Sequence, residues 1–261
     1  MNNVLRNIID AKREELRGVK AAKPIEALLD TPAYHEPARS FIASILAAER
    51  PAFVTELKKA SPSAGLLSKD FSLGALTAAY VEAGASAISV LTEKNYFLGA
   101  LENLKIVRGL CELPLLRKDF LFEEYQVHEA RAAGADAMLL IVAALEQPLL
   151  EDLAALARSI GLETLVEAHD GAELERALSC GADVVGVNNR NLRTLIVDIE
   201  TSIGLAGQFP QGVCRISESG ISSREDVERL VEAGYHGILV GQSLVTAEDP
   251  GAEMRKLLGR V

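Results

Sequence analysis

A pattern that joins a helix end to an apolar strand occurs four times along the chain. Each copy contains a glycine, at positions 84, 134, 181 and 234, followed by a short loop and a run of apolar residues. The spacing of about 50 residues marks an internal repeat. A glycine in the left-handed conformation commonly ends a helix, and a continuous apolar run is typical of a buried parallel strand. The pattern therefore predicts four returns from a helix to a strand.

Each interval between the copies has room for another strand and helix. Further strands are predicted at residues 114–117, 164–167 and 213–217, and an apolar run at residues 52–57 precedes the first copy. Eight strands alternating with helices predict an α/β protein with the (β/α)8 TIM barrel fold. An open doubly wound sheet is the alternative, but it normally has fewer strands and a glycine-rich phosphate turn after the first one. The segment Ser61–Gly65 is not such a turn.

Signals for helix starts support this count. Ser72 fits the N-cap of a helix over residues 73–83. The segments 170–173 and 222–225 both fit a capping box, in which the first and fourth residues bind each other's backbone N–H groups.

The first fifty residues precede the barrel. Residues 8–16 and 40–48 have helical patterns, and three prolines interrupt the stretch between them. This segment is too small and too poor in apolar residues to form a separate domain. We therefore predict one barrel domain over residues 1–261, in which residues 1–50 form an N-terminal helical extension.

Composition narrows the class of protein. Hydrophobic residues make up 49% of the chain, and the core must be aliphatic because aromatic residues make up only 5% and Trp is absent. The net charge is −10, from 27 basic and 37 acidic residues. This charge disfavours binding to nucleic acid or to anionic membranes, but local basic groups can still hold a small anionic ligand.

Cysteine usage and the start of the chain indicate the compartment. Cys111, Cys180 and Cys214 are odd in number and far apart, so we expect neither a disulfide framework nor a zinc site. The stretch Met1–Arg6 lacks the apolar core of a signal peptide, and no apolar run is long enough to span a bilayer. We predict a cytoplasmic protein with no nucleic-acid or membrane partner. Its oligomeric state stays open, with a monomer favoured.

Polar and ionisable residues are concentrated at the carboxyl ends of the predicted strands, where TIM barrels have their chemistry. Glu56 and Lys58 end the first strand, and they share a face because side chains alternate along a strand. Ionisable groups that face a closed interior are costly to desolvate, which favours a role in chemistry or in a paired network. Lys118, Glu167 and Asn188 end the third, fifth and sixth strands.

Two turns at the end of the barrel fit a phosphate group. Residues 218–222 follow the seventh strand, and residues 240–243 follow the eighth. Glycines let the backbone approach a ligand, and free N–H groups ahead of a helix attract anions. The alternative is two ordinary strand-to-helix turns. Because both turns occur together at these two strands, we favour phosphate binding.

Five segments, in their order and spacing along the chain, resemble the indole-3-glycerol-phosphate synthase family. They are residues 56–63, 116–120, 125–136, 186–192 and 218–221. The resemblance implies conversion of 1-(2-carboxyphenylamino)-1-deoxyribulose 5-phosphate to indole-3-glycerol phosphate, with loss of carbon dioxide and water. The enzyme would be a carboxy-lyase of tryptophan biosynthesis that acts on a small anionic phosphate ester and needs no metal or cofactor.

The resemblance also implies roles for the residues at the strand ends. Lys118 is expected to act as a general acid on the substrate carbonyl, and Glu167 is expected to pair with the lysines. The predicted catalytic residues are Glu56, Lys58, Lys118, Glu167 and Asn188. The predicted substrate-binding residues are Ser61, Phe120, Arg190, Leu192, Glu218 and Ser219. The predicted phosphate-binding residues are Ser219, Gly220, Gly241 and Gln242.

The chemistry suits these groups. Attack of an aromatic carbon on a ketone puts negative charge on the carbonyl oxygen, so a positioned acid lowers the barrier. Dehydration then needs an acid, and formation of the aromatic ring needs a base. Two lysines and two glutamates can hold protons in several arrangements with coupled pKa values. Which of Lys58, Lys118, Glu56 and Glu167 serves the dehydration is left open.

Two other interpretations are weighed against this one. A phosphoribosylanthranilate isomerase needs a cysteine at the end of the first strand, where this chain has Glu56 and Lys58. A phosphate-binding barrel without activity is suggested by Ala64 and Leu98, which depart from the commonest family pattern. The charged residues at the strand ends argue against both.

Two further polar residues are interpreted as structural. His169 follows the fifth strand and could reach the site, but we favour its interpretation as a loop residue before the cap at Asp170. Asp119 is interpreted as a loop or helix-cap ligand.

Overall fold

Eight parallel strands form a closed barrel in the computed structural model, which describes residues 3–49 and 51–260. The barrel strands are β1 (Ala52–Leu57), β4 (Ala87–Leu91), β5 (Leu115–Lys118), β6 (Ala137–Ile141), β7 (Glu163–Ala168), β8 (Val184–Asn188), β9 (Cys214–Glu218) and β10 (Gly237–Val240). Each strand pairs with the next along the chain, and β10 pairs with β1 to close the barrel. The short strands β2 (Ala60–Ser61) and β3 (Gly65–Leu66) form an antiparallel pair outside it. The predicted TIM barrel is confirmed.

Helices follow the strands and cover the outside of the barrel. After β1 they are α5 (Leu73–Glu82), α6 (Glu102–Arg108), α7 (Glu124–Ala132), α8 (Gln147–Ser159), α9 (Gly171–Ser179), α10 (Glu200–Leu205), α11 (Arg224–Glu232), α12 (Gln242–Val245) and α13 (Pro250–Leu258). Before β1 lie α1 (Asn3–Ala22), α2 (Ile25–Leu29), α3 (Pro32–His35) and α4 (Phe41–Ala47). No helix within the described ranges has both the length and the hydropathy of a membrane span.

The N-terminal extension contains more helix than its pattern predicts. A helix was expected at residues 8–16, but α1 extends over residues 3–22. The stretch that contains the three prolines was expected to be irregular, but it includes the short helices α2 and α3. Pro32 was expected to interrupt a helix, but it is the first residue of α3. A proline is tolerated there because its missing N–H would have no partner within the helix and its φ angle is close to the helical value. The predicted boundary at residue 50 lies outside the described residues, as do Met1, Asn2 and Val261. That the chain forms one domain stays a prediction.

The predicted helix caps are partly right. The side chain of Ser72 accepts a hydrogen bond from the Ala75 N–H, as expected for an N-cap. Both capping boxes were wrong in detail. The carboxylate of Glu173 accepts from the N–H of His169 instead of Asp170. The helix after β9 begins one residue later than expected, with Ser223 as its N-cap.

The amino end of the barrel is closed by α4. Phe41 and Ile45 of this helix are buried, and they belong to the same apolar cluster as the inward-facing residues Val54, Leu116 and Leu165. A second, larger apolar cluster lies between the strands and the outer helices. Since the interior is filled from the amino end, the carboxyl ends of the strands form the open end of the barrel.

Candidate active site

A cavity of about 450 Å³ lies at the carboxyl ends of the barrel strands. All of the residues predicted to act in catalysis or binding line it. They are Glu56, Lys58, Ser61, Lys118, Phe120, Glu167, Asn188, Arg190, Leu192, Glu218, Ser219, Gly220, Gly241 and Gln242. Their convergence follows from the fold, because eight parallel strands bring their carboxyl ends to one face. The roles of these residues stay predictions.

Lys118 is held between two buried carboxylates. Its side chain points inward from the end of β5, with Nζ 3.0 Å from Glu167 Oε2 and in an ion pair with Glu218 Oε2. Burial alone would lower the pKa of Lys118, but the charges of Glu218, Glu167 and Glu56 outweigh burial and raise this pKa well above its usual range. Lys118 is therefore an ammonium donor at neutral pH.

The two carboxylates that hold Lys118 differ in their affinity for a proton. Burial raises the pKa of Glu167, but Lys118 and His169 reverse this effect and hold it well below its usual range. Burial raises the pKa of Glu218 to about 7, against the opposing charge of Lys118 and with the help of Glu167. Glu218 Oε1 is buried and has no hydrogen-bond partner among the described residues. Glu218 is thus the carboxyl that can gain or lose a proton near neutral pH.

Glu56 and Lys58 also form an ion pair. Glu56 Oε1 lies 2.5 Å from Lys58 Nζ, and both side chains face the cavity as their alternation along β1 predicts. Arg190 lines the cavity as well, and its Nη1 donates to the Leu195 carbonyl at 3.2 Å. Burial lowers the pKa of Arg190, although the charge of Glu56 opposes this. The site therefore has two cations besides Lys118.

Two inward-facing glycines make room for these carboxylates. A Cβ added at Gly186 would overlap Glu218 Oε1 and lie 3.1 Å from its Cδ. A Cβ added at Gly241 would lie only 2.6 Å from Glu56 Oε1. Gly186 was not identified from the sequence as a site residue, and only phosphate binding was predicted for Gly241. Both positions must be small if the two glutamates are to enter the barrel.

We expect Gly186→Ala to displace Glu218 from Lys118, lowering kcat and destabilising the fold by about 1–3 kcal/mol, as is typical of overpacking. Kinetics and thermal melts followed by circular dichroism measure both effects. The matched control is Gly204→Ala on α10, where nothing lies within 4 Å of the added atom. Equal behaviour of the two variants would contradict this role for Gly186.

An aromatic wall borders the cavity. The rings of Phe97 and Phe120 lie with their centroids 6.2 Å apart, and both line the cavity. Phe120 was predicted from the sequence as a substrate-binding residue, whereas Phe97 was not identified. The buried carboxylate of Glu93 accepts hydrogen bonds from the N–H groups of Asn95, Tyr96 and Phe97, at 2.9, 2.7 and 3.0 Å. Glu93 therefore fixes the loop that carries Phe97.

The turns predicted for phosphate adopt an unusual backbone. Ser219 and Gly220 have φ angles of 67° and 79°, and a non-glycine residue in this region costs of order 1–3 kcal/mol. Asn189 supports the turn, because its Nδ2 donates to the Ser219 carbonyl at 3.0 Å. Ser243 Oγ donates to the Ile221 carbonyl at 3.3 Å and ties the two turns together.

A second group of charges surrounds Asp119, the residue after Lys118, which also lines the cavity. Asp119 is buried, and its Oδ2 accepts from Thr92 Oγ1 at 2.6 Å, from Lys12 Nζ at 3.2 Å and from Arg117 Nη2 at 3.3 Å. Asp119 does bind a backbone N–H of its own loop, that of Phe120 at 2.9 Å, as its interpretation as a loop ligand predicts, and it also pairs with Lys12 and Arg117. Alternation along β5 directs Lys118 inward and Arg117 outward. Through Lys12, the N-terminal helix α1 is anchored beside the strand that carries Lys118.

The remaining predicted features have simpler outcomes. His169 does follow β7 and precede the cap at Asp170, but it is largely buried and contacts Glu167. Ala64 and Leu98 are exposed and do not line the cavity. Within residues 3–49 and 51–260, no group of three His, Cys, Asp or Glu side chains is arranged to hold a metal ion.

Comparison with known proteins identifies the family. The family model for indole-3-glycerol phosphate synthase matches residues 5–257. The indole-3-glycerol phosphate synthase of an Azoarcus species is 46% identical over 99% of this chain and 100% of its own length. The enzyme of the same name from Laribacter hongkongensis is 44% identical over 98% of this chain and 99% of its own length.

Solved structures of lower identity share the fold. The 3-hexulose-6-phosphate synthase of Salmonella typhimurium superposes with a TM-score of 0.64 at 17% identity, over 80% of this chain and 100% of that chain. A chain of the tryptophan synthase complex of Pyrococcus furiosus has a TM-score of 0.61 at 20% identity, over 80% of this chain and 98% of that chain. At such identities the likeness concerns the barrel alone. The family model matches residues 5–257, and the two relatives are 46% and 44% identical over 98–99% of this chain. This chain therefore belongs to the indole-3-glycerol phosphate synthase family.

Proposed function

We propose that the chain catalyses the decarboxylating, dehydrating ring closure of 1-(2-carboxyphenylamino)-1-deoxyribulose 5-phosphate to indole-3-glycerol phosphate. Its family membership supports this activity. The observation that carries the assignment of roles is the buried contact of Lys118 with both Glu167 and Glu218. A protein that only bound phosphate would not need two carboxylates on one buried ammonium, since burying such charges is costly.

The substrate carboxylate and the aromatic ring have matching groups in the cavity. Lys58 and Arg190 are the two cations beside Glu56, and we assign the carboxylate to them. The rings of Phe97 and Phe120 suit the anthranilate ring, because aromatic rings pack favourably on one another at such distances. These contacts would hold the ring carbon against the ketone and lower the entropy cost of ring closure.

The phosphate is assigned to the two turns at the carboxyl ends of β9 and β10. Ser219, Gly220, Gly241 and Gln242 line the cavity there. Backbone N–H groups and hydroxyls can bind a phosphate without a nearby lysine, which suits a protein of net charge −10. Ser61, at the cavity edge of the loop after β1, is assigned to the substrate as well.

Lys118 is assigned as the acid of the ring closure. As the ring carbon attacks the ketone, the ammonium of Lys118 donates a proton to the developing alkoxide. The carboxyl group then leaves as carbon dioxide, and its bonding electrons return to the ring system. Glu167, which stays ionised beside Lys118, stabilises the ammonium before transfer and orients its N–H groups.

Glu218 is assigned to the dehydration. This step gives one proton to the leaving hydroxyl and removes one from the substrate as the indole forms. After the ring closure Lys58 still holds its proton and can donate it to the leaving hydroxyl, while Glu218 takes up the proton that the substrate loses, because burial raises the pKa of Glu218 to about 7. The direct contact between Glu218 and Lys118 allows a proton to return to the amine between steps.

Indole fluorescence tests the proposed function. The protein has no Trp, so incubation with the carboxyphenylamino substrate should give an indole-type signal above a low protein background. Addition of EDTA should leave the rate unchanged, because no step requires a metal. Absence of product, with inorganic phosphate still bound at the site, would favour a barrel that binds phosphate esters without turning them over.

A further inference from the structure

We propose that His169 is a positioning residue for catalysis, whose imidazolium ring holds Glu167 ionised and directed at Lys118. The inference rests on the proposed function, in which Lys118 is the acid. It concerns a residue that lies outside the cavity lining and contacts the reaction only through Glu167.

The first observation is the position of the ring between two carboxylates. His169 Nδ1 lies 2.8 Å from Glu173 Oε2, and Nε2 lies 3.3 Å from Glu167 Oε1. The side chain of His169 is only 9% exposed. Glu173 Oε2 also accepts the backbone N–H of His169 at 2.9 Å, so the first turn of α9 fixes both the backbone and the ring.

The second observation is the charge state that this position requires. A neutral imidazole has one N–H donor, whereas the imidazolium has two and can face a carboxylate on each side. Burial alone would lower the pKa of His169, but Glu167 and Glu173 outweigh burial and raise it to about 10. The ring is therefore a buried cation across the neutral range.

The third observation is the way Glu167 is shared. Its Oε2 faces Lys118 and its Oε1 faces His169, so each oxygen has one cation. The contact between His169 Nε2 and Glu167 Oε1 is a close ion pair, with the two atoms 3.3 Å apart. Both the N–H group and the charge of His169 lower the pKa of Glu167, which favours the charged form of this carboxyl.

Together these contacts form a series of ion pairs in which negative and positive side chains alternate. It runs from Glu173 at the outside, through His169, Glu167 and Lys118, to Glu218 in the cavity. Without the imidazolium, Glu167 would have one cation instead of two and would take up a proton at higher pH. A protonated Glu167 no longer balances Lys118, so the reaction would fail earlier as the pH falls.

The experiment compares His169→Leu with His169→Gln and with Glu173→Gln across the pH range. In His169→Leu, the part of the acidic limb of kcat that Glu167 contributes, which lies below the titration of Glu218, should move up by about one pH unit or more, while KM changes little. His169→Gln can restore an N–H donor and with it the thermal stability, but not the charge, so its acidic limb should also move up. Glu173→Gln should shift the titration of the His169 ring, followed by NMR, to lower pH.

The control is His35→Leu, which replaces an exposed histidine of α3 and should leave the pH profile unchanged. If His169→Leu does not fold, His169→Gln and Glu173→Gln are compared with the wild type instead. Variants that lose only thermal stability and keep the wild-type acidic limb would overturn the inference while leaving the proposed function standing. A wild-type protein that makes no indole would overturn both.

Discussion

Replacing Lys118 with methionine is expected to lower kcat by about 10³-fold or more, because the ketone oxygen then has no proton donor in the transition state. Methionine keeps much of the length of the lysine side chain and removes its charge. Substrate affinity should change less, since Lys58 and Arg190, to which we assign the substrate carboxylate, are unaltered. The measurement is the initial rate of indole fluorescence at saturating substrate.

The controls for Lys118→Met separate chemistry from folding. Lys105→Met removes an exposed lysine from α6 and should leave the rate near that of the wild type. Lys118→Met also deprives Glu167 and Glu218 of their shared cation, and breaking a buried ion pair costs about 3–5 kcal/mol. Circular dichroism should therefore accompany the kinetics, with Lys118→Gln as a second variant. A folded variant with near-normal turnover would show that another group is the acid.

Glu218→Gln is expected to lower kcat by about 10²- to 10⁴-fold, the usual contribution of a general acid–base residue. The amide has nearly the shape of the carboxyl group and can still accept from Lys118, but it cannot take up or release a proton. We expect the wild-type pH profile to show a titration near 7, the pKa to which burial raises Glu218, and the residual activity of the variant to lack it. A variant that keeps both the rate and this titration would remove Glu218 from the mechanism.

The effect of the same substitution on stability should become more favourable as the pH rises. The unfolded carboxyl titrates near 4.5, whereas burial raises the pKa of Glu218 to about 7 in the folded state, so the folded protein binds more protons between these values. The contribution of Glu218 to wild-type stability therefore falls as the pH rises from 4.5 to 7, and a glutamine escapes this loss. The difference in Tm, variant minus wild type, should grow from about pH 5 to about pH 8. A difference that stays constant would contradict the raised pKa.

Much of the site could be predicted because, in a barrel of parallel strands, the residue that ends each strand lies on the same face of the barrel. Once eight strands are recognised, residues such as Glu56, Lys118 and Glu167 must meet at one end, whatever the details of packing. Alternation along β1 and β5 then predicts which side chains point inward. These arguments require only local periodicity.

Other parts of the site depend on distances between residues that are far apart in sequence. Gly186 matters only because Glu218, on the neighbouring strand, needs the space of a missing Cβ. Phe97 belongs to the aromatic wall because Glu93 folds the loop onto Phe120. Lys12 reaches Asp119 across 107 positions of the chain. No local pattern contains these pairings.

The sequence by itself determined the barrel, the end at which its charged side chains gather and the family to which they belong, because each of these follows from repeats and motifs along the chain. Only the tertiary structure decided how the protons are distributed. Glu167 and Glu218 are both glutamates at strand ends, yet their pKa values move in opposite directions. The difference arises because Glu167 has a second cation in His169, while Glu218 is enclosed beside Gly186 with one oxygen unpaired. Burial and neighbouring charge set a pKa, and both exist only in the folded chain.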